Sequence, residues 1–303
     1  MALHPCVYGH AEVVCALLSA GAKVNLQTTY GMTPLHVACH RSYTEVVRSL
    51  LSAGAKSDPQ TKGEGCSPLY SACYGGHMEV VRALLSGGAK VDLQTTNGLL
   101  SPLHAACYGG HTEVVRALLS AGAEVNLQAK ELGSPLHVAC SKGHVEVVRA
   151  LLSSGSKANL LAKYGKSPLH FACWEGHSEV VGALLSGGAM VDLPSSDGST
   201  PLLTACYGGH VGMVRALLSA GARADLPNIK GRTPLDLLPH ALRAEVERLV
   251  QQAKEEKGSA RADESKAGAP SAPAAVLPPP APLPVSISQP AAGIQRRWRW
   301  RLL

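Results

Sequence analysis

Apolar residues fall into two short helical patterns, one after the other, and this double pattern recurs down most of the chain. In Ser101–Ala123, SPLHAACYGGHTEVVRALLSAGA, residues Leu103, Ala106 and Cys107 repeat at helical spacing. Val114, Val115, Leu118 and Leu119 then make a broader stripe, with Glu113 and Arg116 facing away. The spacing predicts a short helix, a tight turn at Gly109-Gly110 and a longer helix. Ser101 is placed to cap the first helix, with Pro102 at its first position, where a missing N–H costs nothing. Gly122 is placed to end the second helix in a left-handed conformation. Neither helix is long enough to be stable alone in water, so each stripe has to be covered by the next copy.

Pro102 is matched by Pro34, Pro68, Pro135, Pro168, Pro201 and Pro234, at steps of 34, 34, 33, 33, 33 and 33 residues. This period, with Thr33-Pro34-Leu35-His36-Val37-Ala38 and the later G-H-x-x-x-V-x-x-L-L-x-x-G-A, resembles the ankyrin repeat. The resemblance covers about five-sixths of the chain. It implies an all-α repeat solenoid of stacked helix pairs, with projecting β-turn fingers and a concave face made by fingers and first helices.

The units read as a degenerate first repeat at 1–24, six full repeats at 25–226, a C-terminal capping repeat at 227–253 and a disordered Pro/Ala-rich tail at 254–303. In the first unit Cys6, Gly9, His10, Glu12, Val13, Val14 and Gly21 keep their columns, but Met1 and Ala2 stand where Pro and Leu belong. Two readings stay open there: fraying of the first helix pair, or truncation of something longer. In the last unit Asp236 replaces the histidine and Pro239 occupies the cysteine column, while Glu247, Arg248, Gln251 and Gln252 make the final helix polar. The fingers at 60–66 and 94–100 each carry one extra residue. Gly31, Gly98, Gly165, Gly198 and Gly231 recur in the fingers, where the turn is expected to need positive φ. Thr28 stands where the family usually has Asp, which predicts looser finger-to-finger hydrogen bonding.

Aromatic content is 4%, with Phe171 the one phenylalanine, so the interior is built from Ala, Val and Leu and no cofactor pocket is expected. Residues 1–253 hold 20 Lys+Arg against 18 Asp+Glu, and the remaining 50 hold 8 against 4. The array is therefore nearly neutral, unlike a duplex-binding domain with its basic stripe, and no nucleic-acid binding by the array is expected. No apolar stretch approaches the roughly 20 residues of a membrane span, so no stable membrane insertion is expected. Cys6, Cys39, Cys73, Cys107, Cys140, Cys173 and Cys206 share one column. Stacked helices lie about 8–10 Å apart, beyond the roughly 7 Å that a disulfide tolerates. Reduced, buried thiols in a cytoplasmic or nuclear protein follow as the expectation.

Each of Cys73, Cys107, Cys140, Cys173 and Cys206 precedes a histidine by four residues, a spacing that raises the question of metal ligands. The intervening glycines end the helix and no second pair converges, so no metal site is expected. His36, His104, His137 and His170 form another column, which the family resemblance makes a tie between neighbouring repeats. No nucleophile with a partner and an oxyanion site is supplied, so catalytic residues are not expected.

The resemblance leaves a binding surface. Tyr74, Tyr108, Trp174 and Tyr207 occupy one column at the end of the first helix, where the family points side chains toward the groove, and His40 and Ser141 fill it in the other full repeats. Interfaces favour Tyr and Trp; padding between stacked helices is the competing reading. Arg41, Lys142 and Glu175 vary beside the column. Fingertip residues Tyr30, Lys62, Asn97, Lys130, Tyr164, Asp197 and Lys230 are weaker candidates.

In the tail, Pro278–Pro284 suits a polyproline II ligand, and Arg296–Arg301 alternates cation and aromatic. Asn25, Asn126 and Asn159, each with a leucine eight residues upstream, resemble sites of asparaginyl hydroxylation in ankyrin proteins; Asp58, Asp92, Asp192 and Asp225 fill the same column. The expectation is a monomeric, non-catalytic scaffold or adaptor that binds a protein partner through the groove. The alternatives are a regulatory subunit occluding an enzyme or transcription factor, and an adaptor tethered to membrane or nucleic acid by its basic tail.

Overall fold

The computed structural model describes residues 10–238, 243–252 and 255. Cys6, Gly9, Pro239 and both tail motifs, 278–284 and 296–301, lie outside the described residues. The described elements are α1 (Ala11–Ser19), α2 (Pro34–His40), α3 (Thr44–Ser52), α4 (Pro68–Gly75), α5 (Met78–Ser86), α6 (Pro102–Gly109) and α7 (Thr112–Ser120). They continue with α8 (Pro135–Lys142), α9 (Val145–Ser153), α10 (Pro168–Glu175), α11 (Ser178–Ser186), α12 (Pro201–Tyr207) and α13 (Val211–Ser219). No strand is formed among the described residues, apart from one isolated bridge between Ala129 and Gly133. No described helix is long and apolar enough to cross a membrane.

Each first helix, α2 to α12, packs on the second helix of its own repeat and on the next first helix, and second helices pack likewise on one another. Leu35, Leu69, Leu103, Leu136, Leu169 and Leu202 seal the first layer and Leu50, Leu84, Leu118, Leu151, Leu184 and Leu217 the second, all buried. The eight described cysteines are unpaired thiols, seven buried and Cys15 exposed.

Helix starts follow the local chemistry. Thr33, Ser67, Ser101, Ser134, Ser167 and Thr200 are extended N-caps, each followed by proline at the first position. First helices α4, α6, α8 and α10 stop at Gly76, Gly110, Gly143 and Gly176, with φ between 71° and 82°. In the repeat of α2 that left-handed position is Ser42, at φ 63°. Gly122 is left-handed at φ 88°, and the Ala123 N–H closes the turn on the Leu118 carbonyl.

Two expectations are corrected. Gly98 is not at positive φ; Leu99 takes that conformation instead, at φ 54°. The extra residue in this finger shifts its glycine one place, so Leu99 stands where the equally long preceding finger has Gly65, at φ 71°. Thr28 does not loosen the fingers. Its hydroxyl accepts from the Met32 N–H at 3.1 Å, closing its own turn, and the Lys62 N–H donates to the Tyr30 carbonyl at 2.9 Å. Equivalent bonds run from Thr96 to Glu64, Lys130 to Gly98, Ser196 to Tyr164 and Ile229 to Asp197.

The last unit is shortened. Thr233-Pro234-Leu235 begins a 3-10 turn, Pro234–Leu237, rather than a full helix. Asp236 takes over the histidine's capping role, accepting from the Thr233 N–H at 2.9 Å and its hydroxyl at 2.8 Å. Residues 243–252 are helical, burying Val246, Leu249 and Val250 and exposing Glu247, Arg248, Gln251 and Gln252.

Candidate interaction face

Two histidine columns hold the frame on which the variable residues are mounted. In the buried column, His104 Nδ1 accepts from the Ser101 N–H at 3.2 Å, which leaves its proton on Nε2 to donate to the Gly133 carbonyl of the next finger at 3.0 Å. His36, His137 and His170 do the same toward Cys66, Lys166 and Ser199. Burial holds the pKa values of His104, His137 and His170 down at about 4, despite the bonds to carbonyls that push upward. Tyr70 replaces the histidine in α4 and is buried there.

The second column pins the end of each first helix. His77 donates Nε2–H to the His40 carbonyl, His111 to Tyr74, His144 to Tyr108, His177 to Ser141 and His210 to Trp174, at 3.1 to 3.2 Å. The rings lie against turn glycines: a Cβ on Gly75 would come within 2.4 Å of His77, and one on Gly76 or Gly109 within 2.4 Å of His111. The imidazoles that the Cys/His spacing flagged are thus engaged with backbone. Burial pushes the thiols of Cys39, Cys73, Cys107, Cys140 and Cys173 well up, and that of Cys206 to about 12, so all stay protonated.

The carbonyls so pinned belong to the aromatic column, and its rings meet in two pairs. Tyr74 and Tyr108 stack with centroids 5.7 Å apart and planes 24° apart; Trp174 and Tyr207 stack at 5.5 Å and 18°. Ser141 supplies no ring between them. The tyrosine pair is half-buried, whereas Trp174 is 45% and Tyr207 63% exposed. Desolvation, then the neighbouring Tyr108, raises the pKa of Tyr74. The rings therefore pad one another along the stack and also present surface to solvent.

Of the three variable neighbours, Lys142 is brought over a ring, its Nζ 4.3 Å from the Tyr108 centroid. Arg41 and Glu175 are exposed. Lys166, which sequence reasoning missed, comes from the finger before α10 and places its Nζ 5.2 Å from the Trp174 centroid. No sequence spacing marks that contact, because it crosses the corner between finger and helix. Phe171, one turn before Trp174, meets the ring of His137 edge-on at 5.3 Å. At the fingertips Tyr30 and Tyr164 are exposed, Lys163 lies 5.0 Å from the Tyr164 centroid, and Lys163 pairs with Glu131 at 2.7 Å.

The asparagine column has a structural task. Asn25, Asn126 and Asn159 each donate Nδ2–H to a carbonyl of the next repeat (Gly54, Gly155, Gly188) and accept from an N–H two residues on (Lys56, Lys157, Met190). Asp58, Asp92 and Asp192 accept the corresponding N–H of Lys90, Glu124 and Arg223. The upstream leucines Leu118 and Leu151 are fully buried, and Leu17 is half-buried.

Comparison with known proteins agrees with this architecture. The family profile for ankyrin repeats (3 copies) matches residues 2–95, 56–129 and 103–195, and the profile for a single ankyrin repeat matches 197–232. No curated protein matches the chain. Among solved structures, the human ASB11 ankyrin repeat domain is 27% identical with a TM-score of 0.55, covering 83% of this chain and 96% of that one. With its repeats matched over most of its length and its helix pairs stacked as described, the chain belongs to the ankyrin-repeat family.

Proposed function

We propose that this protein is a monomeric, non-catalytic scaffold or adaptor that binds a partner protein on the face formed by its fingers and first helices. Ankyrin repeats generally mediate protein–protein interaction, and the fold is typically a non-catalytic module. The observation that carries the reading is the pair of partly exposed aromatic stacks, Tyr74/Tyr108 and Trp174/Tyr207, on helices whose Pro, Leu, Ala and Cys columns are invariant. Large rings that shed water at little entropic cost dominate interfaces. Repeats 25–226 are assigned as the binding array and 227–253 as its cap; protonated, buried thiols suit a cytoplasmic or nuclear setting.

The test is partner capture by the intact chain against a variant with all four rings replaced by alanine. Capture should be lost while helical content stays nearly unchanged, and deleting residues 254–303 should matter little. Loss of capture on tail deletion alone would overturn the proposal. Hydroxylation of Asn25, Asn126 and Asn159 is proposed alongside it. The burial of Leu118 and Leu151 means that a modifying enzyme reading them must catch an opened repeat. Mass spectrometry of cell-derived protein should find one added oxygen on these residues, and its absence there sinks the assignment.

A further inference from the structure

The aromatic column is broken once, at Ser141, and both rings bordering the break carry a lysine. Tyr108 is stacked on Tyr74, and Trp174 on Tyr207, at centroid separations that leave no room for an ammonium inside either pair. Lys142 and Lys166 therefore occupy the opposite faces, those turned toward Ser141. Their Nζ atoms lie 4.3 and 5.2 Å from the ring centroids. Among the described residues neither ammonium forms an ion pair, whereas the nearby Lys163 is neutralised by Glu131 at 2.7 Å. Both lysine side chains are half-buried, so the rings hold charge that would otherwise sweep freely through solvent.

The geometry points to a slot, walled by Tyr108 and Trp174 and lined by Lys142 and Lys166, that accepts an anionic side chain of a partner peptide. It rests on the proposed binding face and adds the chemistry of what binds there. A ring at position 141 would fill the break; Ser141 leaves it open and offers only a small hydroxyl. Two cations over rings favour a compact anion. A neutral or basic side chain gains nothing from them, and a basic one meets like charge. One turn back from Trp174 on α10, Phe171 is half-buried and supplies apolar surface for the residue flanking the anion. A carboxylate from Asp or Glu and a phosphate on a modified serine share the required chemistry.

Four arrays of synthetic dodecapeptides, with random flanks around a fixed central Glu, phosphoserine, Gln or Lys, separate these cases when overlaid with the full-length protein. Glu or phosphoserine peptides should bind and Gln and Lys peptides should not. Preference for phosphoserine over Glu identifies phosphate as the source, and parity identifies simple negative charge. Lys142→Glu with Lys166→Glu should weaken those hits at least about tenfold and transfer binding to the Lys array. Lys142→Gln with Lys166→Gln, which introduces no repulsion, should weaken them without creating Lys binders, and thermal melting of both variants confirms the fold. Binding that treats Gln like Glu, or ignores charge reversal, overturns the slot. If the four-ring alanine variant then loses that binding, the aromatic face still stands; if it retains it, the face fails as well. Arrays that bind nothing also count against the slot.

Discussion

The leucine column Leu35, Leu69, Leu103, Leu136, Leu169, Leu202 and the column His40, Tyr74, Tyr108, Ser141, Trp174, Tyr207 lie on the same six helices, five residues apart. The first is invariant and sealed from water; the second changes from repeat to repeat and opens to solvent along its length. Both are spaced by the same backbone: one set of histidines, His104 among them, caps the helices whose leucines make the first column, and another, His111 among them, pins the carbonyls of the second. Uniform interior positions fix the pitch of the stack, and that fixed pitch lets isolated substitutions on the face form pairs, a gap and a cradle for two cations. Stability should thus be concentrated in one set of positions and recognition in the other.

Acid should separate the two columns most strongly. His104, His137 and His170 have folded pKa values near 4 against an ordinary 6.5, so the unfolded chain binds more protons between those limits. Stability is whole above about pH 6.5 and falls as pH drops toward 4, by up to about 1.4 kcal/mol per histidine for each pH unit. Urea midpoints measured from pH 8 to 4 should be flat and then decline below about 6.5; a flat profile down to pH 5 would contradict the neutral, buried assignment.

Leu118→Ala comes next, at about 2–5 kcal/mol for a fully buried leucine. Because each repeat contacts only its neighbours, hydrogen exchange should accelerate most in α5, α7 and α9, and uniform loss along the array would speak against a linear stack.

Two changes should strengthen the frame by about 1 kcal/mol each. Ser156 holds a buried hydroxyl without a hydrogen-bond partner where other repeats have alanine, so Ser156→Ala removes an unsatisfied group. Leu99→Gly relieves a left-handed leucine. Calorimetry should show both melting higher than the parent.

The smallest effect on stability belongs to the face. Tyr207→Ala, at a site 63% exposed, removes one stacked ring and should cost below about 1.5 kcal/mol. A larger loss would make the column a packing device rather than a recognition surface.

Much of this could be read from residues alone, since it depends on neighbours in sequence. The 33–34-residue period, the Ser/Thr-Pro helix starts, the glycine stops and the buried leucines are set by capping, backbone sterics and the need to cover an apolar stripe. The column of Tyr74, Tyr108, Trp174 and Tyr207 was visible for the same reason, because a fixed period turns sequence position into spatial alignment. Contacts crossing from one repeat or corner to another were not. Stacking in pairs, Lys166 over Trp174 and the asparagine ties to the next repeat depend on groups some 8 to 34 residues apart meeting at a pitch that only the packed stack defines. Leu99 shows the same limit locally: the inserted residue was legible, but that Leu99 takes the left-handed place shows only in the folded turn, where the Leu99 N–H bonds the Thr95 carbonyl as the Gly65 N–H bonds that of Thr61.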